Sequence, residues 1–276
     1  MTQISIGSTL NYEVREPTIF LFKIAAAVTE QQSISNETLT FEPNLNVEQC
    51  QVGEDGNRLH RLVVQPCNLT IQYEALAEIH HDIEQMGDVK ESAIAEIPPE
   101  VLTYMNPSRY CESDLLARFA FEEFGHLERG YLRVQAIIDW VHSHLDYIPG
   151  STHATTTATD VLLQRTGVCR DYAHLAISLC RGIGIPARYV SGYAVDLDPP
   201  DYHGFLEAYL DGQWYLFDPT RLASTLALIR IGVGRDAADV AFSTLTGSAV
   251  LLDKQVWAHF VDSTPDTANA PAVSIA

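Results

Sequence analysis

Residues 166–193 read TGVCRDYAHLAISLCRGIGIPARYVSGY. After Cys169 the apolar side chains recur at helical spacing, which predicts a helix with one buried face. Gly182 ends that helix, and Pro186 prevents it from resuming. Residues 188–193 then have the β-branched and aromatic content of a strand. The segment therefore predicts a loop, a buried helix and a strand, with Cys169 at the turn into the helix.

The position of Cys169 favours a reactive thiol. It lies at the amino end of the predicted helix, where unpaired backbone amides and the helix dipole stabilise an anion. Such an environment favours the thiolate, which is the nucleophilic form of cysteine. A nucleophilic cysteine also needs a base, and the base needs a third group that orients it. The sequence supplies candidates for both groups downstream.

Two apolar runs follow, and they flank Asp211-Gly212, a dipeptide typical of a hairpin turn. His203 opens the first run and Asp218 closes the second. An antiparallel hairpin brings the start of one strand beside the end of its partner, so we expect these two side chains to be neighbours. The predicted catalytic residues are therefore Cys169 as nucleophile, His203 as base and Asp218 as the group that orients the base.

These motifs resemble the transglutaminase-like superfamily, and within it the bacterial branch whose members are often described as cysteine proteases. The similar segments are 167–174, 184–193, His203 with Glu207, 214–220 and 234–240. The resemblance is strong over residues 109–261 and looser in the N-terminal third. It implies an α+β fold with a papain-like core, in which helices pack on an antiparallel sheet, and it assigns the same three roles to Cys169, His203 and Asp218.

Other residues near the three candidates carry weaker signals. The family pattern usually has Ala-Trp after the histidine, whereas this chain has Gly204-Phe205. This departure predicts a reshaped wall beside His203 and bears on substrate choice more than on catalysis. Asp171 and His174 lie on the predicted helix after Cys169, and we expect them to serve capping and packing rather than chemistry.

The three residues predict acyl transfer through a thioester. Cys169 would attack a peptide or amide carbonyl, and His203 would take up the thiol proton and return it to the leaving amine. The backbone amide of Cys169 is the expected oxyanion donor, with Gln164 and the loop 152–157 left open as sources of a second donor. Water as acceptor gives a peptidase or a deamidase, and an amine gives a protein-glutamine transglutaminase. The resemblance favours hydrolysis, and hence a cysteine peptidase acting on protein or peptide substrates.

Two alternatives belong to other classes of function. Members of the superfamily that have lost catalysis serve as protein-binding scaffolds, and the Gly204-Phe205 departure leaves that interpretation open. A redox-sensing thiol is the third possibility, although Cys180 lies about three helical turns from Cys169, too far for a resolving cysteine.

The N-terminal third of the chain predicts a separate β domain. Short runs with alternating or β-branched and aromatic character fall at 10–14, 18–28, 38–42, 58–64 and 67–73. Strands separated by turn signals are typical of a β-sandwich. We therefore predict a β-sandwich domain over residues 1–100 and a catalytic domain over 101–276. Within the second, the pattern predicts helices at 113–121, 130–145 and 158–165, and strands at 226–233 and 248–261.

Composition narrows the partners and the compartment. The formal net charge is −19, with a sequence pI near 4.7, which argues against nucleic acid and anionic membranes as partners. The chain has no apolar stretch of membrane-spanning length and no signal-peptide pattern, so we predict a cytoplasmic protein. The five cysteines show no metal-binding spacing, and we expect neither a metal nor a cofactor. The oligomeric state is left open.

Overall fold

The computed structural model describes residues 2–53, 55–261 and 272–275, which form an α+β fold. Seven strands come first along the chain. They are β1 (Thr2–Val14), β2 (Thr18–Phe22), β3 (Gln32–Glu42), β4 (Glu48–Val52), β5 (Asn57–Val64), β6 (Cys67–Ile79) and β7 (Asp82–Glu84).

Helices and strands then alternate. In chain order they are α1 (Ser113–Phe124), α2 (Tyr131–His144), β8 (Asp146–Tyr147), α3 (Ala158–Gln164), β9 (Thr166–Gly167), α4 (Cys169–Gly182), β10 (Ala187–Ala194), β11 (His203–Leu210), β12 (Gln213–Phe217), β13 (Leu228–Gly234), β14 (Ser243–Thr246), β15 (Ala249–Phe260) and β16 (Ala272–Ser274). The predicted helix starting at Cys169 and the predicted hairpin around Asp211-Gly212 are both present.

Two four-stranded antiparallel sheets form the β domain. Their strand orders are β15-β1-β6-β3 and β14-β2-β5-β4. Side chains from the facing surfaces of both sheets form one core, as expected for a β-sandwich, and they include Ile4, Ile6, Leu10, Tyr12, Phe20, Phe22, Leu62, Val64 and Ile71. Strands β14 and β15 belong to the last part of the chain, yet each completes one of these sheets. The polypeptide therefore returns to the N-terminal sheets after residue 240, and a boundary near residue 100 stays a prediction.

The third sheet has the order β12-β11-β10-β13, with all neighbours antiparallel. Every residue of β10 and β11 is buried, because each face of this sheet is covered. Helix α4 packs on one face, with α1, α2 and α3 around it. The β domain covers the other face, where the Tyr193 hydroxyl donates to the carbonyl of Ile24 at 2.7 Å and its ring stacks on Tyr73.

The apolar run 18–28 is shorter as a strand than its sequence predicts. Strand β2 ends at Phe22, and the buried residues that follow leave the sheet to meet β13. The amide of Ala27 donates to the carbonyl of Arg230 at 2.9 Å, and the Gln32 side-chain amide donates to both the Ala27 and the Arg230 carbonyls. Burial between two sheets, rather than strand pairing, accounts for the apolar character of the second half of this run.

A cluster of buried charges lies where the third sheet meets the β domain. Glu207 on β11 accepts hydrogen bonds from Arg188 on β10 (2.5 Å) and from Arg230 on β13, and all three side chains are at most 3% exposed. Arg188 also pairs with Asp55 of the β domain at 2.8 Å, and its guanidinium lies over the Trp214 ring. The carboxylate of Glu207 thus forms ion pairs with two buried guanidinium groups at once.

Removing that carboxylate should strongly destabilise the protein. Glu207→Ala leaves two buried guanidinium groups without their shared anion, and we expect it to lower the free energy of unfolding by about 3–5 kcal/mol. Arg118→Ala, which breaks an exposed ion pair on α1, is the matched control and should cost about 0–1 kcal/mol. Urea denaturation followed by circular dichroism measures both. Equal costs for the two variants would contradict this account of the buried cluster.

Candidate active site

The amino end of α4 is fixed by a buried carboxylate. Asp171 is fully buried, and one of its oxygens accepts from the Val168 amide at 3.0 Å and from the Thr152 hydroxyl at 2.6 Å. Its other oxygen accepts from the Arg170 guanidinium at 2.8 Å. Asp171 therefore caps the helix and ties it to the preceding loop, in agreement with the sequence prediction. Cys169, the first residue of α4, is held at the helix start with its side chain half-buried.

The hairpin brings His203 and Asp218 together. Nε2 of His203 lies 2.9 Å from Oδ2 of Asp218, and both side chains are almost completely buried. The carboxylate also accepts from the Thr220 amide and hydroxyl and from the Ala223 amide. These donors fix its orientation toward the imidazole. The juxtaposition predicted from the Asp-Gly turn is therefore present in the fold.

Asp218 remains ionised despite its burial. Desolvation alone would raise the pKa of this carboxyl, but the charge of His203 and the hydrogen bonds from His203 and Thr220 together hold the pKa below its usual value. An ionised carboxylate at this position favours a proton on the imidazole that it contacts.

The imidazole of His203 is accordingly basic. Burial would lower its pKa, but the charge of Asp218, the hydrogen bond to Asp218 and then the Cys169 side chain outweigh it and raise the pKa to about 10. The other ring nitrogen, Nδ1, is buried, and no group in the described part of the chain forms a hydrogen bond with it. Nδ1 is thus the ring nitrogen that is available to exchange a proton with the Cys169 thiol.

Cys169 and His203 line a cleft of ≈ 740 Å³. Residues of the third sheet and of the strands that complete the β-sandwich both contribute to its walls. Tyr189 and Ser191 of β10 line it from the third sheet. The opposite wall comes from the segment 237–244 and from Lys254 on β15, so the β domain contributes directly to the cleft. A substrate in this cleft would contact both the third sheet and the strands that close the sandwich.

His174 supports the part of the cleft wall that contains Ala237. Its Nε2 lies 3.1 Å from the Ala237 amide, which donates to it, and its ring stacks on Tyr110. Burial lowers the pKa of His174 to about 3, which keeps the ring neutral and able to accept this hydrogen bond. The packing role expected from the sequence is therefore what the contacts show.

The Gly204-Phe205 departure has a steric explanation. A Cβ atom built at Gly204 would lie 2.2 Å from the hydroxyl oxygen of Tyr189, which occupies that space. Phe205 is fully buried, and its ring lies beside that of His203 with centroids 6.2 Å apart. The Tyr189 hydroxyl thus fills the space that a side chain at residue 204 would need, and Phe205 is the ring beside the imidazole.

Tyr147 is a site residue that the sequence did not reveal. Strand β8 pairs in parallel with β9, which places Tyr147 opposite Gly167, two residues before Cys169. Burial and then the charge of Cys169 raise the pKa of the Tyr147 hydroxyl, while a hydrogen bond from the Cys169 backbone amide opposes the rise. Only the long-range pairing of β8 with β9 brings this hydroxyl to the cysteine.

The two sources named for a second oxyanion donor differ in placement, and Ala154 of the loop 152–157 lines the cleft. Gln164 is exposed at the end of α3. In the loop 152–157, Thr152 donates to Asp171, and Thr157 caps α3 through Asp160.

Across the described residues, no group of three or more His, Cys, Asp or Glu side chains is arranged to hold a metal ion. No helix in that part of the chain is long and apolar enough to span a bilayer.

Comparison with known proteins assigns the class. The family model described as the transglutaminase-like superfamily matches residues 119–219, and the one described as the bacterial transglutaminase N-terminal domain matches residues 2–100. The crystal structure of "a Putative Cysteine Protease from Cytophaga hutchinsonii" is 36% identical, covers 100% of this chain and 98% of that chain, and superposes with a TM-score of 0.94. This chain belongs to the transglutaminase-like superfamily. The predicted α+β fold, with a transglutaminase-like core and an N-terminal β domain, is confirmed.

Curated relatives match over a shorter span. An uncharacterized protein of Mycobacterium leprae is 42% identical over 120 residues, which are 39% of this chain and 42% of the relative. An uncharacterized protein of Mycobacterium tuberculosis is 35% identical over 116 residues, 36% of this chain and 37% of the relative. The match thus spans well under half the length of these curated relatives.

The charged pair at His203 predicts a specific pH dependence of stability. The pKa of His203 is raised from 6.5 to about 10 on folding, so its contribution is fully present below pH 6.5 and is lost as the pH rises toward 10. We therefore expect the difference in unfolding free energy between wild type and Asp218→Asn to be largest at pH 5–6.5 and to shrink steadily up to pH 10. Chemical denaturation across this range measures it. A difference that grows with pH would contradict the charged pair.

Proposed function

We propose that this protein is a cysteine peptidase in which Cys169, His203 and Asp218 form a catalytic triad. The observation that carries the proposal is the buried contact of Asp218 with His203, which lines the same cleft as Cys169, the first residue of a helix. The Cytophaga hutchinsonii protein, which matches over the full length of this chain, is described as "a Putative Cysteine Protease". That description supports hydrolysis of a peptide or amide bond.

The proposed reaction has two halves. The Cys169 thiolate attacks the substrate carbonyl, the carbon–nitrogen bond breaks, and the His203 imidazolium gives its proton to the leaving amine. A thioester and a neutral imidazole result. His203 then takes a proton from water, the resulting hydroxide attacks the thioester, and the carboxylic acid leaves as the thiolate–imidazolium pair is restored. Asp218 holds the imidazole and stabilises its charged form throughout.

Tyr147 is the second oxyanion donor in this proposal. The first donor is the Cys169 backbone amide at the start of α4, where hydrogen-bond donors point at a developing negative charge. Tyr147 pairs with Gly167, two residues before Cys169, and the charge of Cys169 contributes, after burial, to the raised pKa of the Tyr147 hydroxyl. A substrate oxygen that displaces the hydroxyl from the amide would receive hydrogen bonds from both groups.

The acceptor distinguishes the proposed peptidase from its alternatives within the class. An amine in place of water would make the protein a protein-glutamine transglutaminase, and attack of water on a glutamine side chain would make it a deamidase. A scaffold without catalysis would keep the fold and lose turnover. Protein or peptide as the substrate, the absence of nucleic acid and membrane as partners, and the cytoplasm as the compartment all stay predictions from the sequence.

Proteome-derived peptides provide a test that needs no prior substrate. We expect wild-type protein incubated with such a library to generate new peptide termini, and Cys169→Ala to lower the rate by at least about 10³-fold. Cys50→Ala, which removes a partly exposed thiol on β4, is the control and should retain activity. Mass spectrometry with an added amine distinguishes cleavage, deamidation and amine incorporation. Binding without any of these products would contradict a peptidase and favour a scaffold.

Removing the Tyr147 hydroxyl should slow the chemical step. For Tyr147→Phe we expect kcat on a cleaved peptide to fall by about 10²-fold with little change in KM, because an oxyanion donor acts only in the transition state. Tyr209→Phe is the control, because Tyr209 lies near the C-terminal end of β11, away from the cleft. A rise in KM at constant kcat would assign Tyr147 to substrate binding instead.

A further inference from the structure

Among the described residues, strand β14 is an open edge of its sheet, and it borders the proposed active site. It lies at the end of the order β14-β2-β5-β4 and pairs on one side with β2. The first two residues of the strand, Ser243 and Thr244, line the same cleft as Cys169 and His203. Phe242, which precedes the strand, stacks on Tyr202 with ring centroids 5.1 Å apart, and Tyr202 is the residue before His203. The edge and the imidazole are therefore close in space.

The register shows which backbone groups face the open side. The Lys23 amide donates to the Phe242 carbonyl at 3.0 Å, one position beyond the pair of Phe22 and Ser243. Hydrogen-bonded pairs alternate along an antiparallel ladder, so Thr244 and Thr246 bond to β2. The N–H and C=O groups of Ser243 and Leu245 point away from β2, toward the open side of the strand. These groups can pair with another extended chain.

This edge strand is short, at four residues, but it lacks two other features by which proteins block unwanted strand pairing, a charge and a proline. Strand β14 reads STLT, without a charge or a proline. The other outer strands of the two sheets differ, because β3 carries Glu37 and a bulge, β4 carries Glu48, and β15 carries Asp253 and Lys254. Charges and bulges on edge strands discourage the addition of another strand. Strand β15 also reaches the cleft, through Lys254, so β14 is the uncharged one of these two outer strands at the cleft.

We propose that β14 binds the main chain of the substrate as an added strand and so leads the scissile bond to Cys169. The substrate class is then an extended polypeptide segment of several residues, rather than a small amide or an isolated side chain. Main-chain hydrogen bonds to a sheet edge give affinity with little dependence on sequence. This inference rests on the proposed function of the same cleft and specifies what that cleft accepts.

Thiol-directed probes separate this inference from the proposed function. Each of two warheads is used with and without a Val-Thr-Val peptide: a chloroacetyl group with the peptide on its C-terminal side, and a chloromethyl ketone with the peptide on its N-terminal side. The measured quantity is the rate of Cys169 alkylation, read by mass spectrometry. We expect the peptide to increase this rate by about 10-fold or more for at least one warhead.

Substitutions at Leu245 test whether the edge causes that gain. Leu245→Pro removes an N–H that faces the open side, and we expect it to lower the gain by about 3- to 10-fold, the worth of one hydrogen bond. Leu245→Ala keeps the N–H and should keep the gain. A second measurement needs no variant: N-methylation of successive probe amides should lower the gain at alternate positions, because only every second residue of a strand faces β14.

The outcomes are distinct. Two outcomes would overturn β14 as the substrate site and leave the proposed function intact. In the first, Cys169 is reactive but the peptide does not increase its alkylation rate. In the second, the peptide increases the rate, but neither Leu245→Pro nor N-methylation changes that increase. A Cys169 that reacts with the bare warheads no faster than Cys50 overturns the proposed function and this inference with it. A dimer in sedimentation that Leu245→Pro dissociates assigns the edge to a second copy of the chain, and this also overturns the inference.

Discussion

The buried contact between His203 and Asp218 is the interaction on which the rest of the site depends. It exists because β11 and β12 form a tight hairpin, and it is strong because the sheet that carries it is covered on both faces. In that environment the charge of Asp218 keeps a proton on His203 although burial opposes it. An imidazolium next to the start of α4 gives Cys169 a second source of positive potential besides the helix end. In the proposed mechanism, the helix start and the charged His203 both favour the thiolate form of Cys169.

The β domain is integral to this arrangement. It covers the face of the third sheet opposite α4, and it meets the buried cluster of Glu207, Arg188 and Arg230 through Asp55. The chain also returns to it after Cys169, His203 and Asp218, so that β14 and β15 complete the sandwich sheets and line part of the cleft. The β domain therefore both covers one face of the third sheet and lines the cleft, so the shape of the cleft depends on the whole fold.

The sequence predicted the features that depend on local signals. The start of α4 at Cys169, its end at Gly182 and the hairpin that pairs His203 with Asp218 follow from glycines, a proline and an Asp-Gly turn within short stretches. Contacts between distant segments could not be found in this way. The approach of Tyr147 to Cys169 requires the pairing of β8 with β9, and the Tyr189 hydroxyl fills the space beside Gly204 only once β10 and β11 are aligned. The apolar residues after Phe22 were predicted as strand because burial between sheets leaves the same signature as a buried strand.

The alkylation of each cysteine by iodoacetamide as a function of pH, in wild type and His203→Ala, tests the central claim most directly. The account predicts that Cys169 reacts at least about 10-fold faster than Cys50 at pH 6, well below the ordinary cysteine pKa of about 8.5, and that His203→Ala removes this advantage. A Cys169 that reacts like Cys50 throughout the pH range, with the variant identical to wild type, would contradict it. The three residues would then be a structural remnant, and the cleft a binding site.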